Sequence, residues 1–180
     1  MVEVISGPCS FGENPTDMPD TLEVIAQQIR SGKIEEARSA LRTFQPSEDT
    51  KDEVAFLQGY LQELSYDREG AASSYETLLD ADPEHTEAAF RAALLADQFG
   101  DEDTAVDLYE KCTAHQPAHV NAMLNLALIY EEDQRLDEAE AWVKAVLKEN
   151  PTHYRAGQRL KSIESSYDRV FDDHAPRERD

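Results

Sequence analysis

From residue 22 onward the apolar positions of this chain fall at helical spacing. Leu22, Ile25, Ala26 and Ile29 recur every three or four residues, Ser31-Gly32-Lys33 interrupts them, and Ile34, Ala37, Leu41 and Phe44 resume the pattern. This predicts two amphipathic helices joined by a turn. Pro46-Ser47-Glu48-Asp49 then breaks the chain, and beyond it the pattern keeps a fixed period. Pro83, Pro117 and Pro151 stand 34 residues apart, and so do Ala37, Ala71, Ala105 and Ala139. Two independent markers in one phase describe an array of like units, each burying its apolar face against the next.

Between successive prolines the chain reads as two helices around a polar or glycine-containing turn, such as Gly100-Asp101. Aligned on the prolines, Gly59, Ala93 and Ala127 share one small-residue position, and Ala71, Ala105 and Ala139 share another. Small residues at paired positions let two helix backbones approach, while Tyr75, Tyr109 and Val143 fill the space beside them. The expected organisation is a flexible leader over 1–18, a divergent N-terminal hairpin over 19–46, units at 52–83, 84–117 and 118–151, a closing helix over 152–170 and a polar tail over 171–180. Thr152 is the expected N-cap of that last helix, followed by Tyr154, Leu160, Ile163 and Tyr167 at apolar spacing.

Charge narrows the function. Thirty-eight acidic against 17 basic residues give a formal net charge of −21, which repels a nucleic-acid backbone and argues against direct DNA or RNA binding. The first twenty residues lack a basic start followed by an apolar run, and no stretch reaches the roughly 18 apolar residues of a membrane span, so a cytoplasmic protein is expected. Cys9 and Cys112 are the two cysteines. They lie in the leader and on the second helix of the second unit, and reduced thiols are expected.

Little in the chain points to catalysis. His115 and His119 are four apart but Pro117 separates them, so they do not share one continuous helical face as a metal pair. His85, His119 and His153 each sit two residues past a unit proline, which reads as a helix-entry residue repeated with the period. There is no Cys-x-x-Cys, glycine-rich phosphate loop or Gly-x-Ser-x-Gly element. Acidic pairs such as Glu131-Glu132 face different directions on a helix or sit solvated in turns. No enzyme, cofactor, metal or catalytic residue is expected.

The aligned units resemble the tetratricopeptide repeat, whose pattern is a large residue, Leu-Gly, a Tyr, Ala-x3-Phe and a closing Pro. The third unit matches best, with Met123, Leu126-Ala127, Tyr130, Ala139, Val143 and Pro151; the first departs at Ala55 and Gln58. The resemblance implies an all-α, right-handed solenoid of helical hairpins with a C-terminal capping helix. It also implies a concave groove lined by the first helix of each unit, taking up a peptide or helix of a partner protein. Carried over position by position, that groove contains Phe56, Tyr60, Phe90, Arg91, Leu94, Asn121, Leu124, Asn125 and Leu128, with Arg155 and Arg159 from the closing helix.

Phe56, Tyr60, Phe90, Leu94, Leu124 and Leu128 form pairs four apart and would make an apolar stripe. The alternative is that some of them only pack against the neighbouring unit. Some family members hold chaperone C-termini in a carboxylate clamp. Asn125, Arg155 and Arg159 match its later positions, whereas Phe90 and Leu94 stand at earlier positions and hold no carboxylate.

The runs Tyr109-Glu110-Lys111-Cys112, Pro117 to Leu126, and Ile129-Tyr130-Glu131-Glu132 are also similar to repeats of bacterial proteins that carry a domain like the C-terminal domain of the RNA polymerase alpha subunit. That domain has no counterpart within these 180 residues, leaving either the repeat part of a longer protein or a superficial resemblance. The implied setting is transcription, with the repeats supplying protein contacts. Candidate partners are thus a peptide or helix of another protein, RNA polymerase or a chaperone; oligomeric state is left open.

Overall fold

The computed structural model describes residues 21–114 and 118–174, with side chains through 167. The expected leader with Cys9, His115, Pro117 and the tail from residue 175 lie outside the described residues. Among the described residues every regular element is an α-helix: α1 Leu22–Arg30, α2 Ile34–Thr43, α3 Lys51–Leu64, α4 Arg68–Ala81, α5 Thr86–Phe99, α6 Glu102–Ala114, α7 Val120–Glu132, α8 Leu136–Glu149 and α9 Tyr154–His174. Each helix packs on its neighbours in the chain, and α1 also touches α3. This is the connectivity of a solenoid.

The turns inside the hairpins share one geometry. Gly32, Tyr66, Gly100 and Gln134 all adopt the left-handed conformation, with φ between 62° and 78°, and they follow one another at the same 34-residue period as the alanines. The amide after each reaches back five residues, from Lys33 to Gln28, Asp67 to Gln62, Asp101 to Ala96 and Arg135 to Tyr130. This is the Schellman closure, which satisfies carbonyls at the end of one helix while reversing the chain into the next. Asp67 and Asp101 then cap the following helix, accepting from the amides of Gly70 and Thr104.

Helix entry at the unit boundaries uses histidine. The Nδ1 atoms of His85, His119 and His153 accept from the amides of Ala88, Ala122 and Ala156 at 3.1–3.2 Å. The expected N-cap Thr152 is therefore replaced by His153. Thr152 instead donates to the Asn150 side chain, because the chain enters helical geometry one residue later than a threonine cap requires.

The core follows the small positions. Ala71, Ala105 and Ala139 are completely buried beside Tyr75, Tyr109 and Val143. Gly59 has no room for a side chain, since a Cβ there would lie 2.8 Å from Cε1 of Tyr75. The apolar interior falls into three clusters: one under α1 to α3, one under α3 to α5 and one from α5 to α9. Phe56 packs against the first two and Leu79 against the last two.

Candidate functional site

On α3 and α5 one aromatic candidate packs against the second helix of its own unit and against the histidine that begins the next. Phe56 on α3 lies 5.9 Å from the ring of Tyr75 and 5.4 Å from that of His85, and it stacks on Tyr60 at 6.3 Å. Phe90 repeats the arrangement one unit later, 5.9 Å from Tyr109 and 4.1 Å from His119. Leu124, at the third equivalent position, is 5% exposed. Phe56 and Phe90 thus pack across the joints between units, while Tyr60, Leu94 and Leu128 one turn on are partly buried.

Polar side chains form a second ladder above the aromatic one. Arg91 on α5 reaches back to Glu63 on α3 at 3.2 Å and is held by Glu87 at 3.3 Å, with its guanidinium 4.2 Å over the ring of Tyr60. Glu63 also accepts from the Tyr75 hydroxyl at 3.1 Å. Burial alone would lower the Arg91 guanidinium pKa, but the Glu63 carboxylate, with Tyr75, Tyr60 and Glu87, holds it above its ordinary value. Two units on, Arg159 pairs with Glu131 at 2.7 Å. In between, the arginine position is Asn125, whose amide donates to the Tyr109 hydroxyl at 2.9 Å. Burial pushes the Tyr109 phenol up to about 12.

At the C-terminal end the ladder opens. A cleft of about 340 Å³ lies between α7 and α9, lined by Leu124, Asn125, Leu128, Tyr154, Arg155, Gln158, Arg159 and Ser162. Five of the candidate residues, Leu124, Asn125, Leu128, Arg155 and Arg159, therefore meet in one place. Phe56, Tyr60, Phe90, Arg91 and Leu94 are half-buried in the joints upstream, and Asn121 is exposed on the first turn of α7 outside the cleft lining. Arg155 is exposed and forms no ion pair among the described residues. Tyr154, at 76% exposure, stands beside it.

The sequence places Tyr154 in the apolar spacing of the closing helix and gives Gln158 and Ser162 no role, whereas the structure leaves Tyr154 exposed and puts all three in the cleft lining. They sit four residues apart on α9, so they share a face, and that spacing was the available signal. Among the described residues no group of three or more His, Cys, Asp or Glu side chains is placed to hold a metal ion, and no helix is long and apolar enough to cross a membrane.

Two family models match the chain, both for the tetratricopeptide repeat, one over residues 66–114 and the other over 98–162. Residues 66–162 are tetratricopeptide repeats. Neither model describes an enzyme. Among solved structures, the repeats resemble MamA from Desulfovibrio magneticus at 21% identity and a TM-score of 0.68, over 81% of this chain and 82% of that one. A tetratricopeptide repeat protein from Parabacteroides merdae aligns at 21% identity and 0.69, over 87% and 66%. The first such domain of Spaghetti (RPAP3), bound to the HSP90 peptide SRMEEVD, aligns at 19% and 0.59, over 66% and 94%. Likeness at these identities shows the fold. No match is found among curated proteins.

Proposed function

We propose that this protein is a non-catalytic interaction module that takes up a peptide of a partner protein in the cleft between α7 and α9. The observation that carries the reading is Arg155: a guanidinium with no ion pair among the described residues, beside the apolar Leu128 and the exposed ring of Tyr154. Arg159 is committed to Glu131 and serves as the fixed wall. Such a site suits a peptide that offers one carboxylate to Arg155 and one apolar side chain to the floor. The repeat domain of Spaghetti (RPAP3) bound to an acid-ended HSP90 peptide supports the general mode.

The upstream first-helix positions are occupied at the unit joints, since Phe56 stacks on His85 and the Phe90 ring packs against His119 at 4.1 Å. That leaves the clamp of chaperone-binding relatives incomplete here. Neither family model lends support to the transcription setting, so RNA polymerase is an outcome of a test rather than its premise.

Fluorescence anisotropy with the peptide SRMEEVD, free and amidated at its C-terminus, tests the reading. Binding by the free acid that falls about tenfold on amidation and again in Arg155→Ala supports it. Equal affinity in wild type and Arg155→Ala, or no binding at all, overturns the carboxylate site. Affinity purification with the same variant then identifies whether a chaperone, polymerase subunit or other protein depends on Arg155.

A further inference from the structure

The residue that each first helix turns toward the gap between successive second helices is large and polar, except at one place. On α3, Gln62 accepts from the Ser74 hydroxyl of α4 at 2.6 Å. On α7, the Tyr130 hydroxyl reaches Glu110 of α6 at 3.4 Å, with the Arg135 guanidinium 4.4 Å over its ring. The equivalent residue of α5 is Ala96, whose methyl spans to neither side. The result is an apolar groove of about 510 Å³ between α4 and α6, floored by Ala96 and walled by Leu79 and Leu108, where the equivalent groove of about 310 Å³ between α2 and α4 is lined by the polar Gln58, Gln62, Arg38 and Arg42.

A second departure from the repeat coincides with the first. Phe99 lines this groove and is 52% exposed, while the equivalent residues of the other hairpins are Ser31, Ser65 and Asp133. The half-exposed ring extends the apolar lining of the groove at a place where the repeat otherwise puts a polar residue, so ring and gap form one apolar patch. The rim is acidic. Glu76 and Asp80 stand one turn apart on α4, both exposed and forming no ion pair among the described residues, with Asp101 nearby against the single cation Lys111.

We infer that this groove docks a short amphipathic helix of a partner protein, presenting leucine-sized side chains to the Ala96 gap and lysine or arginine to Glu76 and Asp80. Charge complementarity selects that occupant: the rim carries carboxylates, and a chain with a net charge of −21 steers cationic partners while repelling its own copies. The groove lies away from the α7–α9 cleft and binds independently of Arg155. Its docking mode is that of a helix in an apolar groove, with anchors spaced one turn apart.

The probe is a synthetic leucine–lysine helix of about 15 residues, compared with a leucine–glutamate helix having the same apolar face. The lysine helix is expected to bind the full chain, more weakly as salt rises, and the glutamate helix to fail. Phe99→Ser and Ala96→Tyr leave the net charge unchanged, so they separate groove docking from general attraction to an acidic protein. Each is expected to weaken binding about tenfold, as is the rim variant Asp80→Lys, whereas Arg155→Ala is expected to leave it unchanged. Should Ala96→Tyr perturb folding, the exposed Phe99→Ser decides alone. Failure of the lysine helix to bind, or equal affinity in Phe99→Ser, overturns the proposal. So does a dimer in sedimentation that Phe99→Ser dissolves, because the groove would then belong to a second copy.

Discussion

Phe90 and His119 meet at a ring separation of 4.1 Å, while the Nδ1 of the same histidine caps the helix that begins beside it. One side chain thus closes a helix end and a unit joint together. Removing the phenyl group strips the histidine of its packing surface, and Phe90→Ala is expected to cost about 2–4 kcal/mol. Urea unfolding followed by circular dichroism reads this directly. A midpoint equal to wild type would mean that Phe90 is a free groove residue after all. A double change of Tyr60 and Phe90 to alanine consequently reports on stability as well as on binding.

Gly59 touches Tyr75 so closely that a methyl group has no space, although the equivalent residues Ala93 and Ala127 carry one. Tyr75 is completely buried and its hydroxyl is tied to Glu63, so its ring cannot yield cheaply. Gly59→Ala is expected to lose about 1–3 kcal/mol by overpacking, despite the better helix propensity of alanine. A gain in melting temperature would contradict this packing.

Tyr66 and Gln134 hold left-handed backbone geometry that glycine supplies at the equivalent Gly32 and Gly100. Tyr66 is 87% exposed, so replacing it sacrifices little packing. Tyr66→Gly and Gln134→Gly are each expected to stabilise the chain by about 0.5–1 kcal/mol, relief of strain outweighing the added freedom of the unfolded chain. Differential scanning calorimetry would show the rise, whereas Tyr66→Val should lower the melting temperature.

Cys112 is buried, and burial first, then the Glu87 carboxylate, pushes its thiol up from 9.0 to about 11. The unfolded chain releases this proton at lower pH than the folded one. The thiol therefore contributes stability that is intact below about pH 9 and lost as pH rises from there towards 11. Tyr109, raised to about 12, acts in the same direction at higher pH. In a Cys9→Ser background, the remaining thiol is expected to react with an aromatic disulfide reagent at pH 8 only at the rate of unfolding. Immediate reaction of the native protein would contradict its burial.

Much of this architecture was legible because repetition amplifies weak signals. Any one of Ala71, Ala105 or Ala139 says little, but their common phase fixes which helices pair. The histidines at 85, 119 and 153 could be read as periodic, yet their capping role depends on imidazole geometry that a period does not specify. The left-handed turns were half hidden, since tyrosine and glutamine stand where glycine advertises the conformation. The groove was the least legible. Phe56, Phe90 and Leu124 do lie four residues from Tyr60, Leu94 and Leu128, but helical spacing gives a shared direction without giving what already occupies it. The cleft at α9 and the gap over Ala96 arise where the repeat departs from itself, and a search for regularity passes over such places.

Phe56 and Leu79 are the side chains through which three successive apolar clusters make contact. Mechanically, that makes the molecule a series of stiff blocks coupled by compliant seams. Pulled from its two ends, such a chain lengthens first by flexing at the seams and yields block by block, so its force–extension trace should show steps in place of one rupture.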